Sequence, residues 1–456
     1  MRRAVALISV VMLVLTSTRT ASSQAASRDS IKRDSISASP DSVAARLARL
    51  EKELALLRRQ LGDETRTATH THSRFGLILR ARLQLNMFAN DERVNIVDIP
   101  QFVLASPSST TVDSPGRRSF AMSLRQSRIG ATLSADTVLG AKFDGDIDID
   151  FSGGTSTGPG DRKLFPEPRL RVARAQLHWK RTELLFGSET PLISDLNPIS
   201  LAAVAFPEFV GAGNLWNWLP QIRVTRELLG PTDEAGLRIA VQGAVLSPYS
   251  SSIYVAETDA VDAGERSGRP FLESRVRARW GSADNGDASE GEVQKSGGEI
   301  GIGGHFGWVF AVGDTLQHSQ AIAADLRAAL GKSIEIRGEI YKGQLLRGLG
   351  GAAIGQNFGR ALANETLGPT LRDVAGWIQL NAEPHPTLVV GLGCGFDSIN
   401  SNGRPVRSHN STCAAHVEYR PMQPVFFAFE VRGIRTHYTT QSFGATHVNL
   451  AMGFEW

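Results

Sequence analysis

The sequence lacks the features that define several common protein classes. Its 456 residues include 2 cysteines, too few for a disulfide-rich scaffold. Beyond the extreme N-terminus it has no run of about 18 apolar residues, which excludes a helical membrane protein. Lys and Arg total 49 against 46 Asp and Glu, so the formal charge of +3 indicates neither a nucleic-acid nor an acidic partner.

Motifs for catalysis or cofactor binding are also missing. The sequence has no HExxH motif, no P-loop and no CxxC pair, and we expect neither a cofactor nor a metal. His70 and His72 could touch a metal, but two ligands are too few, and a solvated linker explains them better. A membrane-embedded hydrolase would need a Ser and a His paired at one rim of a barrel, and no predicted strand shows such a pair clearly. We therefore expect no enzyme.

The N-terminus predicts export from the cytoplasm. Residues 1–3 are positively charged at Arg2 and Arg3, residues 4–15 are apolar, and residues 16–26 are small or polar. This order is typical of a secretory signal peptide, which we place at residues 1–25. A membrane anchor is the alternative, but the apolar run is too short to span a bilayer.

A short coiled coil is predicted over residues 40–62, between polar linkers at 26–39 and 63–73. Ser39, Pro40 and Asp41 favour a helix start, and Gly62 favours its end. Apolar residues follow with alternating spacings of four and three, the pattern of an oligomerisation seam: Val43, Leu47, Leu50, Leu54, Leu57 and Leu61. The alternative is one amphipathic helix packed on its own domain.

From Arg74 onward the apolar period changes to two, which indicates β-strands. We count about sixteen strands, several of them roughly 10 to 13 residues long. Long and short connections broadly alternate, except over residues 281–319, where a longer connection precedes a shorter one. The second strand shifts phase between Leu124 and Ile129, which suggests a bulge. The glycines of residues 301–307 suit strand positions where small residues make room inside the wall.

Two folds bury one face of alternating strands. A soluble sandwich or propeller is one, and a membrane barrel with apolar residues facing lipid is the other. Export, strand length, the alternating connections and the alternating final strand, which ends at Trp456, favour the barrel. The predicted fold is an all-β transmembrane antiparallel β-barrel over residues 74–456, preceded by the short coiled-coil helix.

With a predicted export signal, a coiled coil ahead of about sixteen strands and an alternating last strand that ends at Trp456, the chain resembles trimeric bacterial outer-membrane porins. The resemblance is particularly to the phosphate-selective porin O and P group. The strings at residues 126–130 (QSRIG), 220–223 (PQIR) and 376–380 (GWIQL) add to the resemblance. It implies a homotrimer in the lipid bilayer of the outer membrane, in contact with lipopolysaccharide, with the coiled coil in the periplasm. It implies passive diffusion of small hydrophilic solutes. The alternative function is a narrow or plugged barrel that acts as a structural envelope protein through its coiled coil.

Charged residues on the polar strand faces suggest which solutes would pass. The basic candidates for lining the pore are Arg80, Arg82, Arg125, Arg128, Arg174, Arg223, Arg275, Arg277 and Arg279. The acidic candidates are Asp144, Asp146, Asp148 and Asp150. Arginine binds carboxylate and phosphate in a bidentate way, so small anions are the expected solutes. The alternative is that these charges pair across neighbouring strands and only make the wall rigid.

The segment from Glu189 to Leu219 is the candidate constriction loop. It carries Asp195, Glu208, Trp216 and Trp218 among many apolar residues, which is unusual for an exposed loop. Packing inside a wide barrel would explain that composition, and packing on a neighbouring subunit is the alternative.

The two cysteines, Cys394 and Cys413, lie on adjacent predicted strands at similar distances from the loop between them. Both are expected to face lipid. Either a disulfide or two packed thiols fits this arrangement.

Overall fold

The computed structural model describes residues 75–105, 118–153, 166–200, 207–230, 236–250, 261–281, 293–311, 315–359, 368–400 and 406–456. The predicted signal peptide, the linkers and the coiled coil, together covering residues 1–73, lie outside the described residues. Within the described ranges, no helix has the length and hydropathy that crossing a membrane would require.

Antiparallel strands make up almost all of the regular structure. They are β1 Phe75–Asn90, β2 Ser119–Ser123, β3 Arg128–Val138, β4 Ala141–Asp150, β5 Arg169–His178, β6 Thr182–Glu189, β7 Leu219–Leu229, β8 Arg238–Leu246, β9 Phe271–Trp280, β10 Gly298–Ala311, β11 Thr315–Ala329, β12 Ile334–Gln344, β13 Arg372–His385, β14 Leu388–Ile399, β15 Arg407–Met422, β16 Val425–Tyr438 and β17 Ser442–Glu455. The helical pieces are single turns at Glu265–Ser267, Arg347–Leu349 and Ala352–Gly355.

The strands close into a barrel. From β3 to β17 each strand pairs with the next, and β17 pairs with β1, where Arg82 lies opposite Glu455. On its other edge β1 pairs with both β2 and β3, each along a different half. The strands β2 and β3 together occupy one strand position, so the barrel has sixteen strand positions. The predicted all-β closed barrel is confirmed.

The break between β2 and β3 lies where the sequence shows its phase shift. Residues 124–127 leave the ladder, and the backbone amide of Gln84 in β1 is satisfied by the Ser127 hydroxyl, at 3.0 Å. This substitution keeps a buried amide hydrogen-bonded where a ladder bond is missing. Arg125 is buried at the break, where its guanidinium lies 2.5 Å from the Asp98 carboxylate.

Several strand starts differ from the sequence prediction. The alternation predicts strand starts near Ala321, Thr412 and His447, whereas β11, β15 and β17 begin five or six residues earlier. The first residues of β11 and β15 are largely polar and those of β17 are mostly small, so their hydropathy does not alternate clearly, although backbone pairing continues through them. The alternation also predicts a strand start near Leu139. The strand β4 begins two residues later, at Ala141, because Leu139 and Gly140 form a tight turn with positive φ angles of 53° and 74°.

The barrel is apolar outside and polar inside. In β7, Ile222 and Val224 are 57% and 46% exposed, whereas the intervening Gln221, Arg223 and Thr225 are almost fully buried. The same inversion recurs around the barrel, where large apolar side chains account for much of the exposed strand surface. Such a contiguous apolar exterior is unfavourable in water and is typical of a barrel in lipid.

Glycines on the inner wall allow connecting segments to approach closely. A side chain at Gly303 would lie 2.2 Å from the backbone oxygen of Ile193, and one at Gly395 would lie 2.1 Å from that of Ala212. Both partners belong to the connection between β6 and β7. The glycines therefore provide space for this connection inside the barrel.

The two cysteines form a disulfide. Cys394 in β14 lies directly opposite Cys413 in β15, and both side chains are on the exposed face. Of the two arrangements that the sequence leaves open, the structure contains the cross-linked one.

Candidate functional site

The four predicted acidic residues of β4 each lie beside a basic side chain on a neighbouring strand. The closest pairs are Asp144 with His178 at 3.4 Å, Asp146 with Arg174 at 3.2 Å, Asp148 with Arg128 at 2.5 Å and Asp150 with Arg169 at 2.6 Å. Arg80 also lies 3.5 Å from Asp146. These contacts run across β1, β3, β4 and β5, so the charges connect adjacent strands of the wall.

Most of the other predicted basic residues are also ion-paired. The pairs are Arg82 with Glu418 at 3.6 Å, Arg125 with Asp98 at 2.5 Å, Arg223 with Asp195 at 3.3 Å, Arg275 with Asp325 at 2.7 Å, and Arg279 with Glu299. Because a paired guanidinium already contacts a carboxylate, it attracts a passing anion less than an unpaired one does.

Arg277 differs from the other eight candidates. It lies on β9 between Arg275 and Arg279, and among the described residues no acidic side chain comes within ion-pair distance of it. Glu299, Asp195 and Glu183 influence its charge only from farther away. Of the nine predicted arginines, Arg277 therefore has the least neutralised charge in the described part of the chain.

The connection between β6 and β7 lies against the inner wall of its own barrel. The side-chain amide of Gln379 in β13 holds Ile199 at both backbone groups, with each hydrogen bond 2.8 Å long. Glu273 in β9 accepts from the Ile193 amide at 3.0 Å, and Asn410 in β15 donates to the Gly211 carbonyl at 2.8 Å. Buried polar side chains of three separate strands thus anchor the segment.

Asp195 of this connection is held ionised by nearby cations. Its carboxylate accepts a hydrogen bond from the Thr190 hydroxyl at 3.1 Å and pairs with Arg223. Burial alone would raise the pKa of Asp195. The positive charges of Arg223, Arg275 and Arg277 outweigh burial and lower this pKa to about 2.

The two predicted tryptophans form an aromatic cluster with the wall. Trp216 and Trp218 meet edge to face with ring centroids 5.2 Å apart. The Trp218 ring is 4.6 Å from the guanidinium of Arg171, a residue that is 1% exposed. Arg171 is not among the predicted pore-lining residues, because a register shift between β4 and β5 brings it to the same face as Arg174 and disrupts simple alternation.

A second connection, between β12 and β13, has an unusual backbone. Ala353 and Ile354 have φ angles of 49° and 55°, a conformation that is costly for a branched side chain. Their amides donate to the buried carboxylates of Asp373 at 3.1 Å and Asp397 at 2.7 Å. These hydrogen bonds offset the strain and fix the connection to β13 and β14, which no sequence pattern indicates.

The sequence matches no protein-family model, and it matches no curated protein. Its structure is similar to the outer membrane channel DcaP of Acinetobacter baumannii, with a TM-score of 0.63 at 15% identity over 86% of this chain and 100% of that one. It is also similar to OmpT of Vibrio cholerae, with a TM-score of 0.50 at 9% identity over 85% and 99%. The anion-selective porin from Comamonas acidovorans is a looser match, with a TM-score of 0.48 at 11% identity over 84% and 100%.

The chain has a porin-like fold. At these identities the likeness concerns the fold alone. The resemblance to the phosphate-selective porin O and P group is finer than this likeness, and it stays a prediction.

Inside the porin-like barrel, a Ser, a His and a Glu come together, although the sequence shows no such pair on its predicted strands. His305 lies 2.9 Å from the Ser319 hydroxyl through Nε2 and 2.9 Å from Glu273 through Nδ1. The Ser319 hydroxyl donates to the Leu345 carbonyl at 3.0 Å, and Ser319 has no exposed surface. With its proton directed away from the imidazole and no room for an acyl group, this serine is not arranged as a nucleophile.

A second buried cluster joins the β6–β7 connection to the opposite wall. Glu208, His416 and Glu430 each offer one ligand atom, and these atoms lie within 4.8 Å of one another. All three residues are buried. Glu208 is one of the predicted constriction residues, but the sequence predicts no metal, since the three positions are far apart in the chain and match no metal motif.

Proposed function

We propose that this protein is an outer-membrane porin through which small hydrophilic solutes diffuse passively. The observation that carries the proposal is the inverted polarity of a closed barrel, with apolar side chains exposed outside and polar side chains inside. A closed barrel satisfies every strand hydrogen bond internally, so it can span lipid while it encloses a polar path.

The proposed setting follows from the same features and from the predicted export signal. The apolar exterior would contact the bilayer and lipopolysaccharide of the outer membrane. The predicted seam over residues 43–61 would lie in the periplasm and join three copies of the chain. No cofactor is needed for diffusion.

The β6–β7 connection is the proposed constriction. It extends from its own strands to β13, β15 and β16, so it narrows the path across the barrel. Asp195, Glu208, Trp216 and Trp218 all belong to it. Its hydrogen bonds to buried wall residues would keep the path at a fixed width.

An anion preference, for phosphate and carboxylates, is the finer part of the proposal. Arg277 supports it, because this arginine has the least neutralised charge among the nine candidates. The paired arginines of β3, β5 and β9 would mainly stabilise the wall, as the alternative reading of the sequence has it.

Planar-bilayer recording tests the channel. Purified protein should produce conductance steps in groups of three, one per subunit, with a reversal potential in a tenfold KCl gradient that favours chloride. Folded protein that inserts and gives no steps would refute the porin proposal.

A plugged structural barrel is the second candidate, and one observation favours it. Sixteen buried apolar residues, among them Leu192, Leu215, Leu349 and Phe271, form a cluster of strand and connection residues. Liposome swelling in sugars of increasing size separates the two functions. A porin admits the small sugars and excludes the large ones, whereas a plugged barrel admits none.

A further inference from the structure

The cluster of Glu208, His416 and Glu430 is built from two parts of the fold. His416 in β15 lies directly opposite Glu430 in β16, and Glu208 reaches both from the β6–β7 connection. The Nδ1 atom of His416 lies 3.9 Å from Oε1 of Glu208, too far for a hydrogen bond. The three side chains therefore converge on one point.

The hydrogen bonding of the cluster is incomplete. Neither ring nitrogen of His416 has a hydrogen-bond partner in the described ranges, and Oε1 of Glu208 has none either. His416 is 4% exposed and Glu208 is fully buried. Buried polar atoms without a hydrogen-bond partner destabilise a fold, so unpartnered atoms that converge on one point indicate a binding site for a ligand.

The remaining oxygens of the cluster are held in position. Gln379 donates to Oε2 of Glu208 at 2.8 Å. Arg432 and the Ser200 hydroxyl donate to the two oxygens of Glu430 at 2.5 and 2.7 Å. Hydrogen bonds of this kind orient metal-binding carboxylates in known sites.

The wall also fits closely around the imidazole. A side chain at Gly391 would lie 2.5 Å from Nε2 of His416. Glycine at this position therefore leaves room for the ring, which keeps Nδ1 on the side of Glu208.

The charge of the cluster favours a cation. Two carboxylates face one guanidinium, that of Arg432, while His416 is neutral when it acts as a ligand. One negative charge thus lacks a counterion, and a proton shared between Glu208 and Glu430 is the competitor of a metal ion for this place.

We propose that Glu208, His416 and Glu430 bind one divalent transition-metal ion of the Zn²⁺ class, which ties the β6–β7 connection to β15 and β16. One imidazole and two carboxylates match the ligand types of three-ligand zinc sites. Calcium and magnesium prefer oxygen ligands alone, so the imidazole disfavours them. Ligand distances of about 2.1 Å require the three atoms to draw together by roughly an ångström, within reach of side-chain rotation.

Metal titration of the full-length protein, folded in detergent and stripped with a chelator, tests this proposal. We expect one equivalent of Zn²⁺ per chain, and X-ray absorption of the zinc-loaded protein should show nitrogen and oxygen ligands at about 2.0–2.1 Å with the outer-shell signal of one imidazole. The proposal would be overturned if the wild-type protein bound no zinc, or if the bound zinc had no imidazole ligand. Wild-type protein suffices for this arm, so a misfolded variant cannot obscure the answer.

Matched variants locate the site. Glu208→Gln keeps the shape of a protonated carboxyl group, and His416→Gln removes the imidazole. Each should weaken zinc binding at least about 100-fold, more than the loss of a residue behind the ligands does in known sites. His409→Gln, on the same strand but outside the cluster, should bind zinc as the wild type does. Equal affinity in all variants would refute the assignment.

The titration does not depend on conduction. The proposed metal site rests on the position of the β6–β7 connection. A protein that binds zinc but does not conduct would therefore contradict the porin function and leave the proposed metal site intact.

Discussion

Arg277 provides the sharpest test of how this barrel selects ions. The residue lies on β9 with no acidic side chain within ion-pair distance in the described ranges, unlike Arg275 and Arg279 beside it. Replacing Arg275 instead would leave Asp325 buried without its partner, a loss of roughly 3–5 kcal/mol that would confuse selectivity with folding. Arg277→Gln removes one charge and leaves the ion pairs of the wall in place.

The size of the effect follows from Coulomb's law. A unit charge about 6 Å from an ion in water contributes about 0.7 kcal/mol, and screening at 0.15 M salt reduces this to about 0.3 kcal/mol. The substitution disfavours chloride and favours potassium by the same amount. The chloride-to-potassium permeability ratio should therefore fall about threefold at 0.15 M and about sevenfold at 0.01 M, where the Debye length is about 30 Å.

Reversal potentials at the two salt concentrations measure that ratio. Arg226→Gln is the matched control, because Arg226 is exposed on β7, where it donates to Thr182. It should leave the ratio unchanged. An unchanged ratio in Arg277→Gln at low salt, or an equal fall in both variants, would refute the reasoning that Arg277 faces the ion path.

Three further predictions concern the anchoring of the β6–β7 connection and the predicted coiled coil. The lowered pKa of Asp195 means that its ion pair stabilises the fold fully above the ordinary value of 3.8 and is lost as the pH falls through about 2. Current noise should therefore stay constant from pH 7 to pH 4, while Asp195→Asn should raise it at pH 7. Gln379→Ala should speed hydrogen exchange of the Ile199 amide about 5-fold to 150-fold, since roughly 1–3 kcal/mol is lost with the buried hydrogen bonds. Gln344→Ala, which removes an exposed hydrogen bond to His318, should leave that exchange rate unchanged. Deleting residues 40–61 should leave the conductance of each step unchanged and damage envelope integrity, measured by leakage of periplasmic protein; intact envelopes would contradict a structural role for the coiled coil.

Local patterns were enough to predict most of the barrel. Alternation between apolar and polar residues depends only on neighbours in the chain. It predicts strand starts at Phe75, Phe271 and Val425, and these are the observed starts of β1, β9 and β16. Where polar residues continue a strand, as at the start of β15, alternation fails and backbone pairing decides the boundary. The bulge that brings Arg171 inward is likewise set by pairing with β4.

The sequence by itself determined that this chain forms closed, alternating strands with charged residues on the inner face. Only the tertiary structure decided which charges are neutralised, because each ion pair depends on the register between neighbouring strands. Long-range packing also brought Glu208 to His416 and Glu430, whereas the register between the adjacent strands β10 and β11 brought Ser319 to His305. Residues about 200 positions apart meet inside a barrel because a connection folds across it, and no local pattern in the sequence records that path.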